Sequence, residues 1–275
     1  MKTSTKGLAR RAAAYSGAGA GLLCLAALLF GSTALRAQQA RPGAPARPQN
    51  ARTEAPFDPS GYWVSVITQN WRFRMIVPGP GEYADLPINM KAKQLADAWK
   101  AVADEAAGKQ CEAYGAAVIM RLPERLHISW QDDNDLRVDT DSGMQTRVLH
   151  FEPAPGQQIT ASLQGYSVAR WDLNGVGGFF GRGGPQAGPR YGAIQINTDH
   201  MLPGLLRKNG VPYSDQTRMT EYWDLRTVSP GEQWLSISTR VQDPVYLQGP
   251  FIYDSIFKKE ADGSKWDPTA CTLRS

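Results

Sequence analysis

The stretch HISWQDDNDLRVDTDSGMQTRVLHF, His127–Phe151, decides the fold class. Apolar and polar residues alternate there at the two-residue period of a strand, in three runs separated by turn chemistry. Ile128 and Trp130 share one face of the first run against His127, Ser129 and Gln131, and Asp132-Asp133-Asn134-Asp135 turns the chain. Leu136, Val138 and Thr140 repeat the pattern against Arg137, Asp139 and Asp141. Asp141-Ser142-Gly143 makes the second turn, glycine being free to take a positive φ, and Thr146–Phe151 runs back. The expectation is an antiparallel meander with one apolar and one polar face, at the centre of a single β-rich domain.

The same grammar extends in both directions. Tyr62–Thr68 alternates Trp63, Ser65 and Ile67 with Tyr62, Val64 and Val66. Trp71, Phe73, Met75 and Val77 then alternate with Arg72, Arg74 and Ile76, which predicts a strand with two guanidinium groups on one face. That pair is either solvent-facing or, inside a barrel, a carboxylate or anion clamp. After Pro78-Gly79-Pro80-Gly81 the period changes: Leu95, Ala98, Trp99, Val102 and Ala106 recur at helical spacing, with Asn89 as N-cap and Gly108 as stop. This is the one substantial helix expected, packed on the sheet or plugging a barrel end. Tyr166–Leu173, Ile194–Asp199, Met219–Arg226, Trp234–Asp243 and Phe251–Lys259 read as further strands, and His200–Ser214 as a loop. Asn174–Gly192 reads as a long glycine-rich hairpin insertion with Phe179 and Phe180 at its tip; Pro185 and Pro189 exclude the helix that a phosphate-cradling loop must open. So many strands and one helix give an all-β class. The number of edges favours closure, so the expected architecture is an antiparallel lipocalin-like or open barrel, with a two-sheet β-sandwich as the alternative.

Composition bounds the setting. Basic residues up to Arg11, an Ala/Leu/Gly-rich run over Ala12–Phe30 and small residues around Ser32–Ala37 read as a secretory signal peptide over residues 1–37. An uncleaved anchor is the competing reading, against which the glycines and small-residue exit argue. Residues 38–56 are rich in Pro, Ala and Arg without periodicity and read as a disordered linker, which leaves 57–275 as the folded domain. Five of the 30 basic residues lie in the leader, which has no acid, so the remainder carries 25 basic against 26 acidic residues. A nucleic-acid partner therefore has no electrostatic footprint. The expected location is periplasmic or secreted, without membrane insertion after cleavage. Cys111 and Cys271 are the two cysteines of the mature chain, and an even count in an oxidising compartment reads as a disulfide, two buried free thiols being the alternative.

The order of motifs resembles a family of uncharacterised secreted bacterial proteins with a lipocalin-like β-barrel fold. The matching pieces are Cys111 with Gly115 and Met120 ahead of Pro123, Trp130–Arg137, Gly165-Tyr166-Ser167-Val168-Ala169-Arg170-Trp171, Asn209-Gly210-Val211-Pro212-Tyr213-Ser214, Thr220-Glu221-Tyr222, Asp243-Pro244 and Trp266–Cys271. The glycine-rich insertion after Asp172 departs from the family pattern. The resemblance implies a fold and an export route, and no activity.

No complete catalytic or metal motif is present. His127, His150 and His200 could form a facial metal site, but their spacing does not enforce convergence, so no metal and no cofactor is implied. The aspartates of the meander fail the calcium-loop pattern, and Gly165-Tyr166-Ser167-Val168-Ala169 lacks the second glycine of a nucleophile elbow. The best acid–base constellation is Glu221 with His200 and Asp199, since a carboxylate on a strand otherwise carrying Met219 and Trp223 could be desolvated. Its structural alternative is a carboxylate paired with an arginine such as Arg218 or Arg240. Three functions follow. The preferred one is a binding protein for a small apolar or amphipathic molecule, held in an aromatic-lined cavity by residues such as Trp130 and Tyr222 and anchored by Arg72, Arg74 or Arg137. The others are an acid–base enzyme of hydrolase, lyase or isomerase type acting on a hydrophobic substrate, and a structural or partner-binding envelope protein.

Overall fold

The computed structural model describes residues 50–273 apart from 154, 155, 157 and 174–191. The leader, most of the linker and the glycine-rich insertion with Phe179 and Phe180 lie outside the described residues. Nine strands close a barrel: β1 (Gly61–Val66), β2 (Arg125–Trp130), β3 (Asp135–Thr140), β4 (Thr146–His150), β5 (Tyr166–Leu173), β6 (Gly192–Asp199), β9 (Arg218–Ser229), β10 (Glu232–Gln242) and β11 (Phe251–Lys259). Around the wall the order is β1-β11-β10-β9-β6-β5-β4-β3-β2 and back to β1. Closure sets the sandwich aside and leaves no free edge in the wall. One seam departs from the antiparallel expectation. β4 and β5 run parallel, pairing Leu149 with Ser167 and His150 with Val168, a pairing that a tight hairpin turn does not give.

The meander forms as its alternation requires. Ile128 pairs with Val138 and Leu136 with Leu149, all four fully buried, while Asp132 caps its turn by accepting from the amides of Asn134 and Asp135 at 2.8 Å each. The strand registers define two barrel ends. The lower end holds the turn between β2 and β3; the upper holds the turn between β3 and β4 and the start of β11. Trp63, Ile128, Leu136, Ile194, Trp223 and Phe257 are among the apolar side chains that fill the interior, each contributing ~1.5–3 kcal/mol by leaving water. Above them lies a polar belt. Arg147 of β4 donates from Nε to Ser167 Oγ at 2.9 Å and from Nη2 to Thr198 Oγ1 at 2.8 Å, and it forms an ion pair with Glu221 of β9.

Several local expectations change. Trp71–Met75 is a short helix, α2, rather than a strand, since Asn70 enters the left-handed region at φ 48° and turns the chain. α1 (Ala51–Glu54) lies inside the stretch read as a disordered linker: Asn50 caps it, and Ala51 N donates to Asn134 Oδ1 at 2.9 Å. The expected long helix is two, α3 (Met90–Ala98) and α4 (Ala101–Ala106), broken at Trp99; Asn89 does cap α3, accepting from Ala92 N at 3.0 Å. Its buried face is Ala92 and Ala96, whereas Leu95 and Val102 are exposed. The plug of the upper end is instead the pair of 3-10 turns Gln110–Tyr114 and Ile119–Arg121, where Ala116, Ala117 and Met120 have no exposed surface. Gly115 is required there: a Cβ would lie 2.0 Å from the Tyr213 hydroxyl. Two strands inside the stretch read as a loop, β7 (Gly204–Arg207) and β8 (Val211–Tyr213), form a separate hairpin. The Cys111 and Cys271 sulfurs are bonded, tying the first 3-10 turn to the C-terminal tail.

Candidate functional site: a cationic cleft at the upper end

Within α2, residues two apart point about 200° from each other, so Arg72 and Arg74 do not form the paired clamp that a strand would give. Arg72 is exposed and pairs with Glu82. Arg74 turns inward, is 8 % exposed, and donates from Nε to the Arg121 carbonyl at 2.8 Å. Arg121, at the end of the second 3-10 turn, lies over the rings of Phe251 and Tyr253 at 5.0 and 5.3 Å and reaches Asp85 at 3.3 Å. Arg207 of β7 lies 4.8 Å over the Phe73 ring, donates to the carbonyls of Glu82 and Ala84, and takes the other oxygen of Asp85. Lys208 donates to the Tyr114 hydroxyl at 2.8 Å.

These four cations line one cleft of about 120 Å³, whose remaining walls include Phe73, Val77, Val118, Leu122 and Leu206. Among the described residues no carboxylate lines it. All three guanidinium groups are at most 8 % exposed, and Asp85 serves two of them. The third, Arg74, has Nη2 buried with no hydrogen-bond partner among the described residues. Burial first, and then neighbouring Arg121, push the Arg74 guanidinium down to about 10. Arg121 is lowered as well, mainly by burial, with Asp85 opposing. Because a guanidinium holds its proton, the depression expresses mainly the cost of burying the charge, to which the neighbouring guanidinium adds. Tyr253 and Glu124 oppose that depression of Arg74. Burial drives the Glu124 carboxyl well above its usual range, Asp141 adds to the push and Arg74 opposes it, and neither Glu124 oxygen has a hydrogen-bond partner among the described residues.

The other residues singled out in the sequence lie elsewhere. Trp130 packs against Phe151 at the lower end, at 5.8 Å between ring centroids. Arg137 is exposed on the outer wall and bonded to Asp139, and Tyr222 is exposed with its hydroxyl accepting from Gln195 Nε2 at 3.0 Å. Glu221 is fully buried against Arg147, a different arginine from Arg218 and Arg240, whereas His200 and Asp199 form an exposed pair at 2.6 Å on the rim. The structure does not bring those three together. His127 stacks on Tyr62 and His150 on Tyr166, and among the described residues no three His, Cys, Asp or Glu side chains form a metal cluster. Sequence reading found Arg74 and missed Arg121, Arg207 and Lys208. The available signal was a basic residue set in an apolar run, as in Ile119-Met120-Arg121-Leu122 and Leu205-Leu206-Arg207. No protein-family model, curated protein or solved structure matches the chain. Among the described residues no helix is long and apolar enough to cross a membrane.

Proposed function

We propose that this chain is an exported binding protein that takes up a small amphipathic anion in the cationic cleft. The observation that carries the reading is Arg74: a buried guanidinium with an unpartnered nitrogen, facing a cleft lined by three further cations and by apolar side chains. Leaving such a donor unmade is costly, and a carboxylate, sulfate or phosphate oxygen satisfies it by a charge-assisted hydrogen bond. The apolar walls favour a ligand whose other end is hydrocarbon. Export is supported by the leader pattern and the disulfide. Catalysis through Glu221 has no comparable footing, since that carboxylate is sealed inside the wall and already paired.

Calorimetric titration with octanoate and with octanol tests the proposal. Octanoate binds and octanol does not. Arg74→Met removes a hydrogen bond to a charged group, worth about 1.5–3 kcal/mol, so octanoate affinity falls roughly 10- to 150-fold. Thermal stability holds or rises in the same variant, because an uncompensated buried charge has been removed. Equal affinity for the acid and the alcohol, or an Arg74→Met protein that binds octanoate as the parent does, refutes the assignment.

A further inference from the structure

The cleft is not closed at its outer side. Val77, Pro78 and Lys208 belong to its lining and also to that of a second, open groove of about 700 Å³. The groove runs over α3, α4 and the C-terminal tail, with Ala96, Trp99, Ala101, Val102 and Leu273 as its apolar surface. Its shape depends on Gly210, which sits at φ +87° with a would-be Cβ 2.4 Å from the Trp99 side chain, so that the hairpin between β7 and β8 lies flat against the indole. Val102 is 64 % exposed although it lies in an apolar furrow. Charge is arranged in one direction along this path: the buried arginines lie at the closed end, Lys208 at the junction and Lys100 beside the furrow.

We infer that the groove holds the hydrocarbon tail of the same molecule whose anionic head enters the cleft, so that the ligand class is a single-chain amphiphile such as a straight-chain carboxylate or alkyl phosphate. This rests on the reading of the cleft as an anion site and adds the identity of the other half of the ligand. The groove adjoins the cleft at Val77, Pro78 and Lys208, a junction that one alkyl chain can follow. Each methylene laid on the apolar floor leaves water, so affinity grows with chain length until the furrow is filled, by about fourfold per carbon at ~0.8 kcal/mol per buried CH2.

The test uses the full folded chain with its disulfide intact, titrated with hexanoate, octanoate, decanoate and dodecanoate below their micellar concentrations. The matching methyl esters and phosphatidylglycerol vesicles serve as parallel arms, and Trp99 fluorescence is followed by difference against Trp99→Phe. The expected result is a Kd that tightens about fifteenfold with each two-carbon step until the furrow is filled, a fluorescence change lost in Trp99→Phe, weak binding of the esters, and no co-sedimentation with vesicles. Val102→Glu, at an exposed position that does not load the core, weakens dodecanoate far more than hexanoate and so flattens the dependence on chain length. An affinity that is flat with chain length yet abolished by Arg74→Met overturns the tail assignment and leaves the anion site standing. Length dependence that persists equally in the esters and in Arg74→Met overturns the anion site and with it the head-to-tail arrangement. Co-sedimentation with vesicles without binding of free dodecanoate overturns the inference in favour of a membrane lipid as occupant.

Discussion

Replacing Glu221 by alanine should be among the most damaging single changes to this protein, and for a reason unconnected with catalysis. The Arg147–Glu221 pair is 3 % and 0 % exposed, and Arg147 also reaches Ser167 and Thr198, so one guanidinium links β4, β5, β6 and β9 inside the barrel. The pair is imperfectly satisfied: Arg147 Nη1 and Glu221 Oε1 lack partners among the described residues, so its own net contribution is small. Truncating one side is different, because it strands a buried charge. The cost is about 3–5 kcal/mol. For a domain of this size that corresponds to a fall in Tm of about 6–20 °C, at roughly 2–4 °C per kcal/mol. Arg147→Met should cost a similar amount by stranding the carboxylate. The double variant Arg147→Met/Glu221→Leu should recover most of the loss, since the Ser167 and Thr198 hydroxyls, 2.9 Å apart, can bond each other once the arginine is gone. The assay is reversible urea unfolding of all four proteins with the disulfide intact, followed by circular dichroism. A cost below about 1 kcal/mol for Glu221→Ala, or a double variant whose loss is the sum of the two singles, refutes the idea of a desolvated pair.

Two further outcomes follow from groups already described. Burial raises the folded-state pKa of Glu124, so the folded protein keeps a proton that the unfolded chain releases near 4.5. This contribution to stability is present below that value and is lost as pH rises towards the folded pKa, with a slope of up to about 1.4 kcal/mol per pH unit; Glu124→Gln should abolish the slope and be more stable than the parent at pH values above the window, as urea unfolding across a pH series would reveal. Reduction of Cys111–Cys271 opens a loop of 160 residues, for which chain entropy predicts a loss of about 5 kcal/mol, read as a drop in the urea midpoint between oxidised and reduced, alkylated protein.

The barrel wall was legible because its strands have one face in and one face out, and alternation records that asymmetry directly. β5 and β11 match the expected spans residue for residue. Elements buried on all sides carry no such record. In β7 all four residues are buried, and the plug around Ala116-Ala117-Val118 consists of small and apolar residues without a period, so neither announces its geometry. Five residues of Trp-Arg-Phe-Arg-Met satisfy a strand pattern and also fit a turn of helix; the left-handed Asn70 ahead of them decided the matter. The parallel seam depends on which way residues 151–165 travel, and local sequence does not encode direction. For the site, an arginine reads alike on a surface and in a cleft. What distinguishes Arg74, Arg121 and Arg207 is convergence from three segments that lie far apart along the chain, which is a property of the folded barrel.

The crosslink has a bearing on timing as well as on stability. Leu273, which walls the groove, lies two residues past Cys271, and Thr272 between them is held through both its amide and its carbonyl by the Tyr114 hydroxyl, the group that also receives Lys208. Cys271, bonded to Cys111, fastens the tail to the plug beside the groove, together with the hydrogen bonds of Thr269 and Thr272. If the groove is the tail site proposed above, formation of the crosslink in an oxidising compartment would come before full affinity for a long-chain ligand.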